Sequence, residues 1–149
     1  MDEKLNQFLL RAKRATYAAG TGDSAPSRPA SHDLPYQEGN MFYLDTYLGG
    51  FKFIGEEAVW VDGSPVWSMN YYGWMTVDEI PEGFSPFLKE TLLNVPAEAP
   101  YRGPATHHKG EFAYACTWDG TPECFYGREA ISLRGDVIYE LLFHGGEVK

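Results

Sequence analysis

FIGEEAVWVDGSPVWSMNYYG, residues 53–73, aligns without a gap with FYGREAISLRGDVIYELLFHG, residues 125–145. At this offset of 72 residues, six of the 21 positions are identical, whereas composition alone predicts roughly one or two identities. The identical pairs are Phe53 and Phe125, Gly55 and Gly127, Glu57 and Glu129, Ala58 and Ala130, Gly63 and Gly135, and Gly73 and Gly145. The repeat predicts that one structural unit occurs twice in the chain.

Each copy has the pattern of a β-hairpin. Asp62-Gly63 and Arg134-Gly135 lie between short runs rich in β-branched and aromatic residues, as two-residue hairpin turns do. The alternation of side chains along each strand predicts a core face. That face comprises Val59, Val61, Trp67, Met69 and Tyr71 in one copy and Ile131, Leu133, Tyr139, Leu141 and Phe143 in the other. The opposite face is mixed and is expected to be partly exposed; it comprises Trp60, Ser68, Asn70, Tyr72, Ser132, Arg134, Glu140 and His144.

An amphipathic helix is predicted ahead of each copy, because apolar residues recur there at spacings of three and four. These residues are Leu5, Phe8, Leu9, Ala12 and Ala15 in the first half and Phe84, Phe87, Leu88, Leu92 and Val95 in the second. The predicted unit is therefore a helix followed by three strands. We expect an α+β fold with this unit internally duplicated, in which two main helices pack on antiparallel sheets. A chain of 149 residues fits a single domain, 1–149, with halves at about 1–75 and 82–149.

Long loops rich in proline, glycine and serine are predicted between each helix and its first strand, at residues 21–40 and 96–110. Loops of this length inside a compact domain bind something, cover something or are disordered, and these alternatives stay open. Each loop carries an arginine beside or near a proline, Arg28 in the first and Arg102 in the second.

Composition excludes several function classes. The net charge of −9, from 12 basic and 21 acidic residues, opposes direct binding of nucleic acid. No apolar run is long enough to cross a membrane, and the charged N-terminal segment is unlike a signal peptide, so we expect a cytoplasmic protein. Neither the two cysteines nor the four histidines have the spacing of a metal site, and no nucleotide-binding or hydrolase motif is present. We therefore predict no metal and no cofactor.

The repeated glutamates, Glu57 and Glu129, have the same strand parity as the core residues. A carboxylate that faces a core needs a partner or a function. Two structural interpretations stay open: bulges at Gly55 and Gly127 that turn both glutamates to solvent, or pairing of each glutamate with a loop arginine. On the functional interpretation, the glutamates bind a cationic or polar aromatic ligand together with arginines and aromatic rings. Those residues are Arg28, Arg102, Tyr43, Tyr47, Trp67, Tyr71, Tyr114, Trp118 and Tyr139.

Five segments distributed over residues 26–146 carry a resemblance to a known family: PSRPASHDLPYQEG, YLDTYLGGFKFIGEEAVW, PVWSMNYYGWM, PAEAPYRGP and IYELLFHGG. The resemblance is to a bacterial and archaeal domain family of unknown function. It implies a domain that occurs alone or behind an XRE-type helix-turn-helix module, in association with transcription regulation, and it implies no catalytic residues. No recognition-type helix follows the first helix, so we expect a sensor without its DNA-binding part. The order of elements is also similar to that of GyrI-like effector-binding domains, a weaker likeness of architecture.

The leading hypothesis is a small-molecule-binding domain, with the ligand in a groove between the two halves. One alternative is a small hydrolase in which one of the two glutamates acts as general base. The other is an interaction module, in which the sheet face around Trp60, Asn70 and Tyr72 meets a protein partner or a second copy of the chain to form a homodimer. The catalytic residues of any reaction stay unknown at this point.

Overall fold

The computed structural model describes residues 1–18 and 25–149. In chain order the elements are α1 (Glu3–Ala18), β1 (His32–Glu38), β2 (Met41–Gly49), β3 (Lys52–Val61), β4 (Ser64–Met75), α2 (Phe84–Leu93), β5 (Thr106–Lys109), β6 (Phe112–Thr121), β7 (Cys124–Leu133) and β8 (Asp136–Glu147). Within the described residues, each helix is thus followed by four strands.

All eight of these strands belong to one sheet. Their order is β1-β2-β3-β4-β8-β7-β6-β5, and every neighbouring pair is antiparallel. The two halves of the chain meet at the centre, where β4 pairs with β8 and Tyr71 lies opposite Phe143. Both helices bury apolar side chains against one face of the sheet, the inner face. The predicted α+β class, with an antiparallel sheet and two helices, is confirmed in this form.

The two predicted hairpin turns are present. The backbone φ angles of Asp62 and Gly63 are 50° and 79°, and those of Arg134 and Gly135 are 53° and 88°. Two successive positive φ angles are typical of the type I′ turn, whose twist matches that of the flanking strands. These turns fix the register of β3 with β4 and of β7 with β8.

The face assignment made from alternation also agrees with the structure. The predicted core residues with at most 4% exposure are Val59, Trp67, Met69, Tyr71, Ile131, Tyr139, Leu141 and Phe143. Val61 and Leu133, beside the turns, are only partly buried. The opposite, outer face is mixed as predicted: Asn70, Tyr72, Arg134 and His144 are exposed, and Trp60, Ser68, Ser132 and Glu140 are partly buried.

The prediction of three strands after each helix is wrong, because β1 and β5 lie within the stretches predicted to be loops. Both are edge strands. β1 contains Pro35, which donates no backbone hydrogen bond and is tolerated at an edge, and β5 has only four residues. Short edge strands of this kind carry too little alternation to be recognised. Residues 19–24, which include the start of the first predicted loop (21–40), lie outside the described residues.

Bulges at Gly55 and Gly127 are not present, since both glycines lie in continuous register. The register shifts fall instead between Val59 and Trp60 and between Ile131 and Ser132. Each glycine leaves room for an aromatic ring: a Cβ on Gly55 would overlap the side chain of Tyr71, and one on Gly127 would overlap Phe143. The glycines therefore allow close packing without turning the glutamates to solvent.

We predict that Gly127→Ala lowers the free energy of unfolding by about 1–3 kcal/mol, the usual cost of overpacking a core. The added methyl group would meet the backbone oxygen of Thr117 as well as Phe143, and backbone cannot move aside easily. Gly50→Ala is the control, since nothing lies within 4 Å of its Cβ position. Urea denaturation should show Gly50→Ala within about 1 kcal/mol of the wild type. Equal stability of all three proteins would contradict this packing.

Candidate functional site

Five charged side chains lie in the core on the inner face, each at most 5% exposed. This buried charged cluster comprises Lys13 of α1, Asp45 of β2, Glu57 of β3, Glu129 of β7 and Arg102 of the segment between α2 and β5. It holds three carboxylates and two cations. A buried charge is tolerated only when it is paired and hydrogen-bonded, so the partners of each side chain decide what the cluster does.

Glu57 is bound by α1. The ammonium of Lys13 donates to Oε2 of Glu57 and to the backbone oxygen of Tyr101, the latter at 2.8 Å. The hydroxyl of Tyr17 donates to Oε1 of Glu57 at 2.7 Å. Burial lowers the pKa of Lys13, and the negative charge of Glu57 partly offsets this effect. The predicted pairing of Glu57 with a loop arginine is therefore wrong, because a helix lysine takes that place.

Glu129, in contrast, does pair with a loop arginine. Nε and Nη2 of Arg102 donate to the two carboxylate oxygens at 3.2 and 2.8 Å. The hydroxyls of Tyr114 and Tyr139 donate to the same two oxygens at 2.6 and 2.8 Å. Burial opposes the charge on Arg102, but the charge and hydrogen bonds of Glu129, together with Tyr17 and Tyr139, outweigh it, so the pKa of Arg102 lies well above its ordinary value. The structural interpretation made from sequence is confirmed for this glutamate.

Asp45 is the third carboxylate of the cluster. It lies directly opposite Glu57 in the register of β2 with β3, and it accepts a hydrogen bond of 2.5 Å from the hydroxyl of Tyr71. Burial and the neighbouring charge of Glu57 raise the pKa of Asp45 to about 7. The hydroxyl of Tyr43, also buried, has no hydrogen-bond partner in the described part of the chain. Within the buried charged cluster, Asp45 is therefore a carboxylate whose pKa lies near neutral pH.

The structure brings most of the predicted ligand residues together around this cluster. Tyr43, Tyr71, Tyr114 and Tyr139 surround it in the core, Lys13 lies over the ring of Trp67, and Arg102 lies over that of Tyr71. Tyr47 stacks on His32, and Trp118 meets Tyr101 edge to face. Glu57 and Glu129 are completely buried, and neither lines either of the two surface cavities described next. Their predicted role in ligand binding stays a prediction.

A cavity of about 580 Å³ opens on the outer face of the sheet, over β2, β3, β4 and β8. This outer cavity is lined by Arg28, Thr46, Ile54, Gly55, Glu56, Asn70, Tyr71, Tyr72, Leu142 and His144. Of the predicted ligand residues, Arg28 and Tyr71 are in its wall. A second cavity, of about 490 Å³, lies beside the start of α1 and has Trp67 in its wall.

Strand register arranges the lining of the outer cavity in two rows. The polar row runs through Thr46, Glu56, Asn70 and His144, which lie side by side on four neighbouring strands. The apolar row runs through Ile54, Tyr72 and Leu142, which are 53%, 42% and 54% exposed. Neighbouring strands are about 4.8 Å apart, so the apolar row spans about 10 Å.

Arg28 is held at the cavity by a chain of hydrogen bonds. Its Nη2 lies 2.7 Å from the hydroxyl oxygen of Thr46, which lies 2.8 Å from a carboxylate oxygen of Asp33. Burial raises the pKa of Asp33, but hydrogen bonds from Ser27, Thr46 and Ser31 outweigh it and lower the pKa to about 2. Because Thr46 gives its only proton to this carboxylate, its oxygen accepts from Arg28.

Sequence reasoning missed several of these residues. Asp45 shares strand parity with Tyr43 and Tyr47, so alternation carried a signal for its burial. Lys13 follows the predicted core residue Ala12 on α1. A rotation of the helix by one residue position decides whether Lys13 faces solvent or the core. For the outer cavity, alternation placed Asn70, Tyr72 and His144 on the correct face, but not the arginine beside them.

The described residues include neither a cluster of side chains that could hold a metal ion nor a helix that could span a membrane. No group of three or more histidine, cysteine, aspartate or glutamate side chains there is placed to hold a metal ion. Burial and the charge of Glu129 raise the pKa of Cys116 to about 12, so this cysteine is a neutral thiol. Neither described helix combines the length and the apolar character that a membrane-spanning helix needs.

Asp45→Asn should change how stability depends on pH. The pKa of Asp45 is about 7 in the folded protein and about 3.9 in an unfolded chain. The folded state therefore binds this proton more tightly, and the stability that the bound proton provides is lost as pH rises from about 4 through about 7. We expect the stability of the variant, relative to wild type, to improve by on the order of 2 kcal/mol between pH 5 and pH 8. Urea denaturation across this range tests it, with the exposed Asp119→Asn as control. A constant difference between Asp45→Asn and wild type would contradict the raised pKa.

Glu129→Gln should destabilise the protein by about 3–5 kcal/mol, because it leaves the charge of Arg102 buried without a counter-charge. Glu111→Gln breaks the pair with Arg134 instead, whose side chains are 61% and 70% exposed. That control should change the free energy of unfolding by no more than about 1 kcal/mol. Equal effects of the two substitutions would show that burial does not strengthen the pair of Arg102 with Glu129.

Comparison with known proteins identifies a family for this chain. No curated protein and no solved structure matches the chain significantly. One family model, described as a domain of unknown function (DUF5680), matches residues 45–148. The match begins at Asp45 and includes Glu57, Arg102 and Glu129. The helix-turn-helix association and the GyrI-like likeness stay predictions. Because the match covers more than half of the sequence, this chain belongs to the DUF5680 family of domains of unknown function.

Proposed function

We propose that the protein binds a small amphipathic molecule in the outer cavity. The observation that carries this proposal is the convergence of a cation, a carboxylate, an amide and an imidazole, from Arg28, Glu56, Asn70 and His144, beside an apolar row. The volume of about 580 Å³ lies within the range of small-molecule sites, which combine apolar walls with a few polar groups.

The polar groups of the outer cavity are available to a ligand. Arg28 uses one N–H group on Thr46 and has further N–H groups to donate. Within the described part of the chain, the side chains of Glu56, Asn70 and His144 form no hydrogen bond or ion pair. A ligand would replace water at these groups without breaking any contact within the protein.

The other candidate sites are less suitable for a ligand. Each oxygen of Glu129 already accepts two hydrogen bonds, and Glu57 is held by Lys13 and Tyr17, so binding there would first break buried ion pairs. The hydrolase alternative needs a glutamate that reaches substrate, and nothing in the burial of either one supports it. In the second cavity, Glu147 already lies beside the N-terminal ammonium of Met1 and the ammonium of Lys149.

We also infer that the two halves arose by internal duplication. Several equivalences at the offset of 72 residues support this inference: both hairpin turns, both register shifts, both buried glutamates and both glycines covered by a ring. The outer cavity departs from the symmetry, because Arg28 reaches the outer face, whereas the arginine of the second loop, Arg102, pairs with Glu129 on the inner face. A single ligand site per chain follows from this departure.

Thermal-shift screening of amphipathic metabolites tests the proposal, because a ligand that binds the native state raises its melting temperature. The affinity of each hit is then measured for the wild type and for two variants. Leu142→Ser changes the apolar row, whereas Val137→Ser changes a residue of the same strand that is 48% exposed and outside the cavity. Loss of the leucine contact, about 1.5 kcal/mol, should weaken binding about tenfold, whereas Val137→Ser should leave it unchanged.

Two results would count against the proposal. If Leu142→Ser and Val137→Ser affect a hit equally, the ligand binds elsewhere. If no hit appears and sedimentation shows a dimer that Leu142→Ser dissociates, the apolar row serves self-association instead.

A further inference from the structure

We propose that the ligand of the outer cavity is an apolar α-amino acid, bound as its zwitterion. This inference rests on the proposed function and adds the chemical class of the ligand. Three observations carry it: two opposite charges that flank one point of the cavity, the absence of an ion pair between them, and an apolar row that begins beside them.

The opposite charges belong to Arg28 and Glu56. The guanidinium of Arg28 is anchored to Thr46, and Thr46 lies directly opposite Glu56 in the register of β2 with β3. Side chains that face each other across neighbouring strands are about 5 Å apart at Cβ. Arg28 and Glu56 form no ion pair with each other or with any other described residue. A ligand with a positive and a negative group close together fits between them. The carboxylate and ammonium of an α-amino acid, which are attached to the same carbon, are such groups.

The apolar row starts next to these charges. Ile54 is two residues before Glu56 on the same strand and therefore on the same face, and Tyr72 and Leu142 continue the row across β4 and β8. With its charged groups between Arg28 and Glu56, an amino acid would lay its side chain over this row. The row, about 10 Å long, accommodates a leucine, phenylalanine or tryptophan side chain. Asn70, in the polar row, offers both an amide donor and an acceptor beside the charged end.

Other ligand classes satisfy fewer of these groups. A fatty or aromatic carboxylate would pair with Arg28 but place its charge beside that of Glu56. An amine would pair with Glu56 but meet the like charge of Arg28. A sugar would leave the apolar row uncovered. Charge complementarity thus selects the zwitterion, because like charges brought together weaken binding.

Isothermal titration calorimetry on the full chain tests this with L-phenylalanine, L-leucine and L-tryptophan, and with three probes that each lack one feature. The probes are 3-phenylpropionate without the ammonium, 2-phenylethylamine without the carboxylate, and L-alanine without the large side chain. Phenylalanine should bind at least tenfold more tightly than each probe, and leucine and tryptophan should each bind more tightly than L-alanine.

Charge-removing variants assign the two contacts. Arg28→Gln should weaken the binding of phenylalanine and 3-phenylpropionate at least fivefold, and it should strengthen the binding of 2-phenylethylamine, because a like charge is removed. Glu56→Gln should weaken the binding of phenylalanine and 2-phenylethylamine at least fivefold and strengthen that of 3-phenylpropionate for the same reason. Arg134→Gln, an exposed arginine outside the cavity, is the control and should not change phenylalanine binding.

The possible failures are distinguishable. If 3-phenylpropionate or 2-phenylethylamine binds as tightly as phenylalanine, the ligand is a simple anion or cation, and the amino-acid inference is wrong while the outer cavity remains a binding site. The same holds if none of the six compounds binds but a different screening hit is weakened by Leu142→Ser. If nothing binds in either experiment, both proposals are wrong.

Discussion

The pairing of charges inside the core is the constraint on which the rest of the structure depends. Glu57 and Glu129 are fixed on the inner face of the sheet, and each must meet a cation from outside the sheet. Lys13 provides this cation from α1, and Arg102 provides it from the segment after α2. Apolar contacts alone are not directional, whereas the hydrogen bonds of an ion pair restrict how the two groups are oriented. The charges therefore position the helical layer on the sheet.

Gly55 and Tyr71 connect the outer cavity with the buried charged cluster. Gly55 lies in the wall of the outer cavity, and on its inner side the side chain of Tyr71 fills the space that a Cβ would take. The hydroxyl of Tyr71 in turn donates to Asp45, the carboxylate with a pKa of about 7. Tyr71, which is itself in the cavity wall, thus links the outer cavity directly to the buried Asp45.

Local geometry decided which features were predictable from the sequence. Alternation with a period of two gave the hairpins, the core face and the inward direction of both glutamates, because each depends on residues close together in the chain. The partner of Glu57 was not predictable, because Lys13 is 44 residues away and its burial depends on the rotation of α1. The course of the first loop also depends on tertiary structure: β1 pairs at the edge of the sheet, and Arg28 reaches the outer face.

The two faces treat charge in opposite ways, and this contrast is the reason for assigning ligand binding to the outer face. An unpaired Glu57 or Glu129 would cost several kcal/mol, so the protein saturates both with its own donors. Arg28 and Glu56 are exposed to water, and exposed charges gain little from pairing, so leaving them unpaired costs the free protein almost nothing. Once a ligand covers the apolar row and excludes water, the same two charges interact more strongly with a complementary group. Charges that stay unpaired in the free protein at little cost in free energy, but interact strongly with a ligand once water is excluded, are suited to selecting that ligand.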